Sequence, residues 1–139
     1  MSYLDLLDHG LRIEEGTKPR PYMDTTGHIT IGIGRNLTNK PLKPDEIEYL
    51  FKNDKADAER DARSLVPTFD DLSDIRKYVV CDLAFNLGQI GLSLFPRFLL
   101  AVHEGRWDDA AMELRTSVAF RQEPKRFTLL ANAMETDTL

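Results

Sequence analysis

Two carboxylates stand out by their surroundings. Glu15 closes the first helical stretch one residue before Gly16, and Asp24 opens the turn Asp24-Thr-Thr-Gly27 ahead of an alternating β-branched run. Two carboxyl groups across a cleft are the equipment for breaking a glycosidic bond. One, protonated, assists the leaving oxygen, and the other, ionised, works at the opposite face of the sugar. With 23 Asp and Glu residues in the chain, the same pair also has a bland explanation as a solvated helix end and a turn cap. Helical phase does not choose between Glu14 and Glu15, because both lie near the face continued from Leu4, Leu7 and Leu11. Thr30, taken alone, reads as a strand residue of high β propensity.

No rival set of residues offers other chemistry. His9, His28 and His103 are far apart, and none sits at metal-ligand spacing with a second His or Cys, so no metal is expected. Cys81 is the only cysteine, which excludes an intramolecular disulfide, and its neighbours Tyr78-Val-Val-Cys-Asp-Leu-Ala-Phe85 place it at an apolar helical position. No cofactor is called for.

The elements that must position the two carboxylates are legible in outline. Ser2, with Asp5 three residues on, reads as a capping box opening a helix that ends near Gly16. Pro19-Arg-Pro21 cannot continue that helix. From Tyr22 to Arg35 the pattern Ile29-Thr-Ile-Gly-Ile33 predicts a short antiparallel sheet, and Gly32 and Gly34 mark bulges or a place where a group approaches the backbone closely. After a loop from Asn36 to Lys43, Pro44 with Asp45 and Glu46 starts a long helix that stops before Pro67. Ser73 caps a nearly all-apolar helix carrying Ile75, Val79, Val80, Leu83, Ala84 and Leu87, with Gly88 and Gly91 beyond it. Shorter helices are predicted over Phe95 to Glu104, Trp107 to Arg115 and Pro124 to Ala133, with a break from Thr116 to Glu123. The order is helix, small sheet, long helix, helical bundle: an α+β arrangement of segregated elements, mostly helical.

Composition sets the outer limits. At 139 residues and 42% apolar, the chain has the makings of one domain with a buried core. Eighteen Lys and Arg against 23 Asp and Glu give a net charge of −5, which argues against a nucleic-acid binder held by phosphate contacts. The longest apolar run, Phe98 to Val102, falls far short of the roughly 20 residues that span a bilayer, so no membrane insertion is expected. No charged start or apolar signal core precedes Arg12, so a Sec-type export signal is not expected.

The order of residues narrows the chemistry. Leu11-Arg-Ile-Glu-Glu-Gly16, then Tyr22-Met-Asp-Thr-Thr-Gly27, then Thr30-Ile-Gly-Ile-Gly34 resembles the phage-type lysozymes, glycoside hydrolase family 24. In that family a helix ends in Glu-Gly, eight residues separate the glutamate from an aspartate, and five more separate the aspartate from a threonine before Ile-Gly-x-Gly. Glu15, Asp24 and Thr30 reproduce both gaps. Pro44-Asp-Glu-Ile-Glu-Tyr-Leu-Phe resembles the start of the family's interdomain helix, and Ala84-Phe-Asn-Leu-Gly88 with Phe95 its central helix and following turn. Arg106-Trp-Asp-Asp-Ala-Ala111 and Gln122-Glu-Pro-Lys-Arg126 also match, so the likeness runs from about Leu11 to Arg126. It departs at Ala119, where many members carry tryptophan, in the short segment from Gly34 to Pro44, and in the tail from Met134. Asn36, Phe98 and Glu113 do not match the positions that line the sugar cleft in relatives, whereas Phe85 does.

The resemblance implies a lysozyme-like fold, with a small β lobe at about 16–43, a connecting helix at about 44–66, and a helical lobe made of 1–15 and 67–139. It implies hydrolysis of the β-1,4 bond between N-acetylmuramic acid and N-acetylglucosamine in peptidoglycan, by inversion. Glu15 is then the general acid, Asp24 and Thr30 together hold the attacking water, and Phe85 and Arg126 contact substrate. A general acid has to hold its proton near neutral pH, which desolvation favours and a neighbouring arginine opposes. A monomer is expected, made in the bacterial cytoplasm and acting on the wall after release. The alternatives are a wall-binding or regulatory module of the same fold without turnover, and a helical interaction protein that matches by coincidence.

Overall fold

The capping box at Ser2 is made in full. The Ser2 hydroxyl accepts the Asp5 N–H at 3.2 Å, and the Asp5 carboxylate accepts the Ser2 N–H at 2.9 Å. The helix it starts, α1, spans Tyr3–Glu15 and ends at Gly16, whose positive φ of 69° suits a residue without a Cβ. The computed structural model describes residues 1–139. Three strands follow, β1 (Lys18–Met23), β2 (Ile29–Gly32) and β3 (Arg35–Asn36), then helix α2 (Pro44–Leu65), a 3₁₀ turn at Phe69–Asp71, and helices α3 (Asp74–Ser93), α4 (Pro96–His103), α5 (Trp107–Arg115), α6 (Val118–Gln122) and α7 (Pro124–Thr136). The fold is α+β and lysozyme-like, as the resemblance implies.

The chain divides into two compact units, Met1–Tyr49 and Leu50–Leu139. In the first, the sheet is antiparallel in the order β1-β2-β3, with Tyr22 opposite Thr30 and Thr30 opposite Asn36. β1 begins four residues before the expected Tyr22 and includes both prolines. It accommodates them because it is an edge strand whose register shifts between Lys18 and Tyr22, so neither Pro19 nor Pro21 has to donate to a regular ladder. The Arg35 guanidinium forks onto Glu46 at 2.9 and 2.5 Å, and Glu46 also accepts the Lys43 N–H at the start of α2. The Arg35 guanidinium and then the Lys43 N–H hold the Glu46 carboxyl down at about 2, so the clasp between β3 and α2 is charged at any ordinary pH.

The second unit carries the hydrophobic core. α7 packs on α5, α3 and α6, and α4 on α5. Phe98, Phe127, Leu83, Leu114 and Leu130 are fully buried at their centre. Ser73 caps α3 as expected, but the helix reaches Ser93 by bending at Gly88, where φ is 73°. The residues from Thr116 to Glu123, expected as a break, contain the short helix α6, capped by the Ser117 hydroxyl. Helix α7 runs three residues past Ala133, to Thr136. Its end is held by Arg76, which donates to the Met134 carbonyl at 2.9 Å and the Glu135 carbonyl at 3.3 Å, lies 3.5 Å from Asp137, and stacks 4.0 Å over the Trp107 ring. Ser73, the α3 cap, also bonds the Asp137 carboxylate.

Arg76 therefore supplies partners for carbonyls that a helix end leaves open. Replacing Arg76 with Met keeps the stem and removes the donors, and should cost about 1–3 kcal/mol in urea unfolding. A change below roughly 0.5 kcal/mol would place the stability of this corner elsewhere.

Candidate active site

The β1–β2 connection is a three-residue loop, Thr25 to Gly27, between Asp24 and His28. The Asp24 N–H donates to the His28 carbonyl at 2.9 Å and the Gly27 N–H to the Asp24 carbonyl at 3.1 Å. Gly27 takes φ 83°, the left-handed residue that such loops require. The loop folds back onto the Asp24 side chain. One oxygen, Oδ1, accepts the Thr26 N–H at 2.9 Å, the Thr26 hydroxyl at 2.8 Å and the His28 N–H at 2.9 Å. The His28 N–H first, and then the Thr26 hydroxyl, hold the Asp24 carboxyl below its ordinary 3.8, so it is ionised at neutral pH.

The second oxygen of Asp24, Oδ2, carries no such load. It faces the Thr30 hydroxyl at 3.5 Å, and that hydroxyl lies closer, at 3.2 Å, to the His28 carbonyl. Thr30 is 3% exposed, the one buried side chain in the first unit. Its single hydroxyl proton thus has two acceptors within reach, the His28 carbonyl and Asp24 Oδ2.

Glu15 is the last residue of α1, and its carboxyl group lies against the backbone at Gly34. A Cβ added at Gly34 would stand 2.6 Å from Glu15 Cδ and 2.7 Å from Oε2. Gly34 is thus fixed twice over, by φ 65° and by the Glu15 side chain resting on it. The close approach expected at these glycines occurs at Gly34 and not at Gly32, where a Cβ would meet open space.

Phe85 and Arg126 belong to the second unit. Phe85, on α3, is exposed and meets Phe51 edge to face at 6.1 Å. Arg126, on α7, donates to Asp82 at 3.0 Å and lies 3.7 Å from Glu123. All of them except Glu123 border a depression of about 650 Å³ that also includes Lys55 and Tyr78. Phe98, which does not match a cleft-lining position of the family, is a core residue with no exposure. No group of three or more His, Cys, Asp or Glu side chains is arranged to hold a metal ion. The partners of Asp24 were the part that sequence reasoning missed. Their signal was the spacing Asp24, Thr26, His28, three polar side chains on alternate residues of one turn.

Comparison with known proteins settles the family. The phage lysozyme family profile matches residues 12–126, most of the chain and all of the site residues just described. The chain belongs to the phage lysozyme family. Among curated proteins it is similar to "Probable T4-type lysozyme 2" of Dictyostelium discoideum, 29% identical with 93% of each chain covered, and to "Probable T4-type lysozyme 1" of the same organism, 28% identical with the same coverage. It is also similar to the "Pre-baseplate central spike protein Gp5" of Enterobacteria phage T4, at 27% identity over 84% of this chain and 25% of the spike protein. Family membership makes the chain a lysozyme-type glycoside hydrolase acting on peptidoglycan.

Two outcomes follow from this geometry. Gly32→Ala and Gly34→Ala both force a Cβ into a positive-φ position, at about 1 kcal/mol or more each, but only the second displaces Glu15. Wall clearing should survive Gly32→Ala once corrected for folded fraction and fall steeply in Gly34→Ala. In a pH titration followed by carbon NMR, the Asp24 carboxyl should change below the ordinary 3.8 and move up in Thr26→Val, which removes a donor to the charged form. Because the folded value is the depressed one, stability drawn from this loop is present above the ordinary value and lost as pH falls through the folded one.

Proposed function

We propose that this lysozyme cleaves the β-1,4 bond between N-acetylmuramic acid and N-acetylglucosamine with inversion at the anomeric carbon. Glu15 is the general acid that protonates the leaving oxygen. Asp24 is the base, and Asp24 Oδ2 and the Thr30 hydroxyl hold the attacking water between them. Phe85 and Arg126 contact the glycan. The observation that supports the water-holding role is the asymmetry of Asp24: three donors occupy Oδ1, while Oδ2 faces a buried hydroxyl at 3.5 Å. A carboxylate meant for direct attack gains nothing from a hydroxyl beside its nucleophilic oxygen, whereas a carboxylate that activates water gains a second anchor for it. Inversion requires that space, and inverting enzymes keep their two carboxyl groups about 6.5–9.5 Å apart. The enzyme works as a monomer, without metal or cofactor.

The test is stereochemical. Proton NMR of freshly cleaved glycan should show the α-anomer first, and initial β-product would refute inversion. Glu15→Gln should lower wall hydrolysis by about 10²-fold or more with the fold intact, while Glu14→Gln keeps most of it. Thr30→Val, which preserves shape and β-branching, should cut kcat sharply with little change in stability. Wall binding without clearing in the unaltered chain would instead favour a binding module of the same fold.

A further inference from the structure

The Thr26 hydroxyl sits between two groups, 2.8 Å from Asp24 Oδ1 and 2.7 Å from His28 Nδ1. It has one proton to give. An ionised carboxylate only accepts, so that proton belongs to Asp24, and the hydroxyl must in turn accept one from the imidazole. That requirement fixes the neutral ring as the Nδ1–H form and leaves Nε2 as an acceptor. Asn39 Nδ2 lies 3.4 Å from Nε2, and Asn39 is itself seated by its backbone N–H on Asn36 Oδ1 at 3.1 Å. The donors therefore run in one direction, from Asn39 to His28 to Thr26 to Asp24, starting in the turn after β3 and ending on the carboxylate. The His28 ring is about one-third exposed, with side-chain accessibility of 34%, and lies 3.7 Å from Asp24 Oδ2. Without the ring, the Thr26 hydroxyl loses the donor that fixes its rotamer and strengthens its own bond to Asp24.

We propose that His28 is a positioning residue for Asp24, acting through the Thr26 hydroxyl to keep Oδ1 occupied and Oδ2 open toward Thr30. This rests on the reading of Asp24 as the catalytic base. The effect on rate is that of one hydrogen bond in the chain, about five- to tenfold in kcat.

The distinguishing variants use the shape of the donors. The amide of Asn reaches the place of Nδ1, and that of Gln the place of Nε2. His28→Phe and His28→Gln should each lower kcat about five- to tenfold with KM little changed, and His28→Asn should recover most of the loss. Thermal unfolding of each variant corrects for folded fraction. Nitrogen NMR of the unaltered chain at alkaline pH should show His28 as the Nδ1–H form, reverting toward Nε2–H in Thr26→Val, a signature that packing alone would not move. Wild-type kcat in His28→Phe, an Nε2–H ring in the unaltered chain, or equal losses in the Asn and Phe variants would overturn the proposal. Asp24→Asn separates the two levels. If it is inactive while His28→Phe is fully active, only the role of His28 falls; if Asp24→Asn is fully active, the catalytic reading of Asp24 falls and this one with it.

Discussion

A single carboxylate oxygen organises the candidate site. Asp24 Oδ1 takes three donors from the next four residues, and in doing so it closes the β1–β2 loop, sets the carboxyl plane and turns Oδ2 toward Thr30. Hydrogen bonds to an ionised acceptor are stronger than neutral ones, so the loop is held most firmly in the charge state that general-base chemistry requires. The same residue is the turn former and the proposed base, and the turn fixes the geometry that the proposal uses.

The two units achieve order by different means. Between Leu50 and Leu139 a continuous core of Leu, Val, Phe and Ala side chains does the work, assisted at one corner by Arg76. Between Met1 and Tyr49 only Thr30 is buried, and order comes from directional contacts: the capping box at Ser2, the Asp24 loop, the Arg35–Glu46 clasp and the seat of Glu15 on Gly34. Directional contacts hold side chains at stated distances, which a site needs, whereas apolar burial stabilises without regard to orientation.

This contrast also explains what could be read from the residues alone. Helix starts were legible because their signals are local: Ser2, Pro44 and Ser73 each sit where a cap or first turn was expected. The gaps between Glu15, Asp24 and Thr30 were legible because they match a family pattern, although helical phase alone left Glu14 and Glu15 equal. The end of α7 was not, since its carbonyls are satisfied by Arg76, 58 residues earlier. Nor was the start of β1, because the two prolines announce only the end of the helix until the register shift opposite them is known. The roles of Thr26 and His28 depend on a loop folding back onto its own first residue, and spacing suggests that only after the loop length is fixed.

Those prolines have a further consequence. Strand β1 forms a free border of the sheet, and such borders invite a strand from another molecule to add on, which is how many small sheets begin to polymerise. Pro19 and Pro21 are two residues apart, the spacing at which successive N–H groups point to the same side of a strand. That side therefore offers no donors at either position, and the charges of Lys18 and Arg20 flank the gap. A second copy laid along it would bury its own carbonyls without partners. This border of the sheet is therefore a poor template for a further strand.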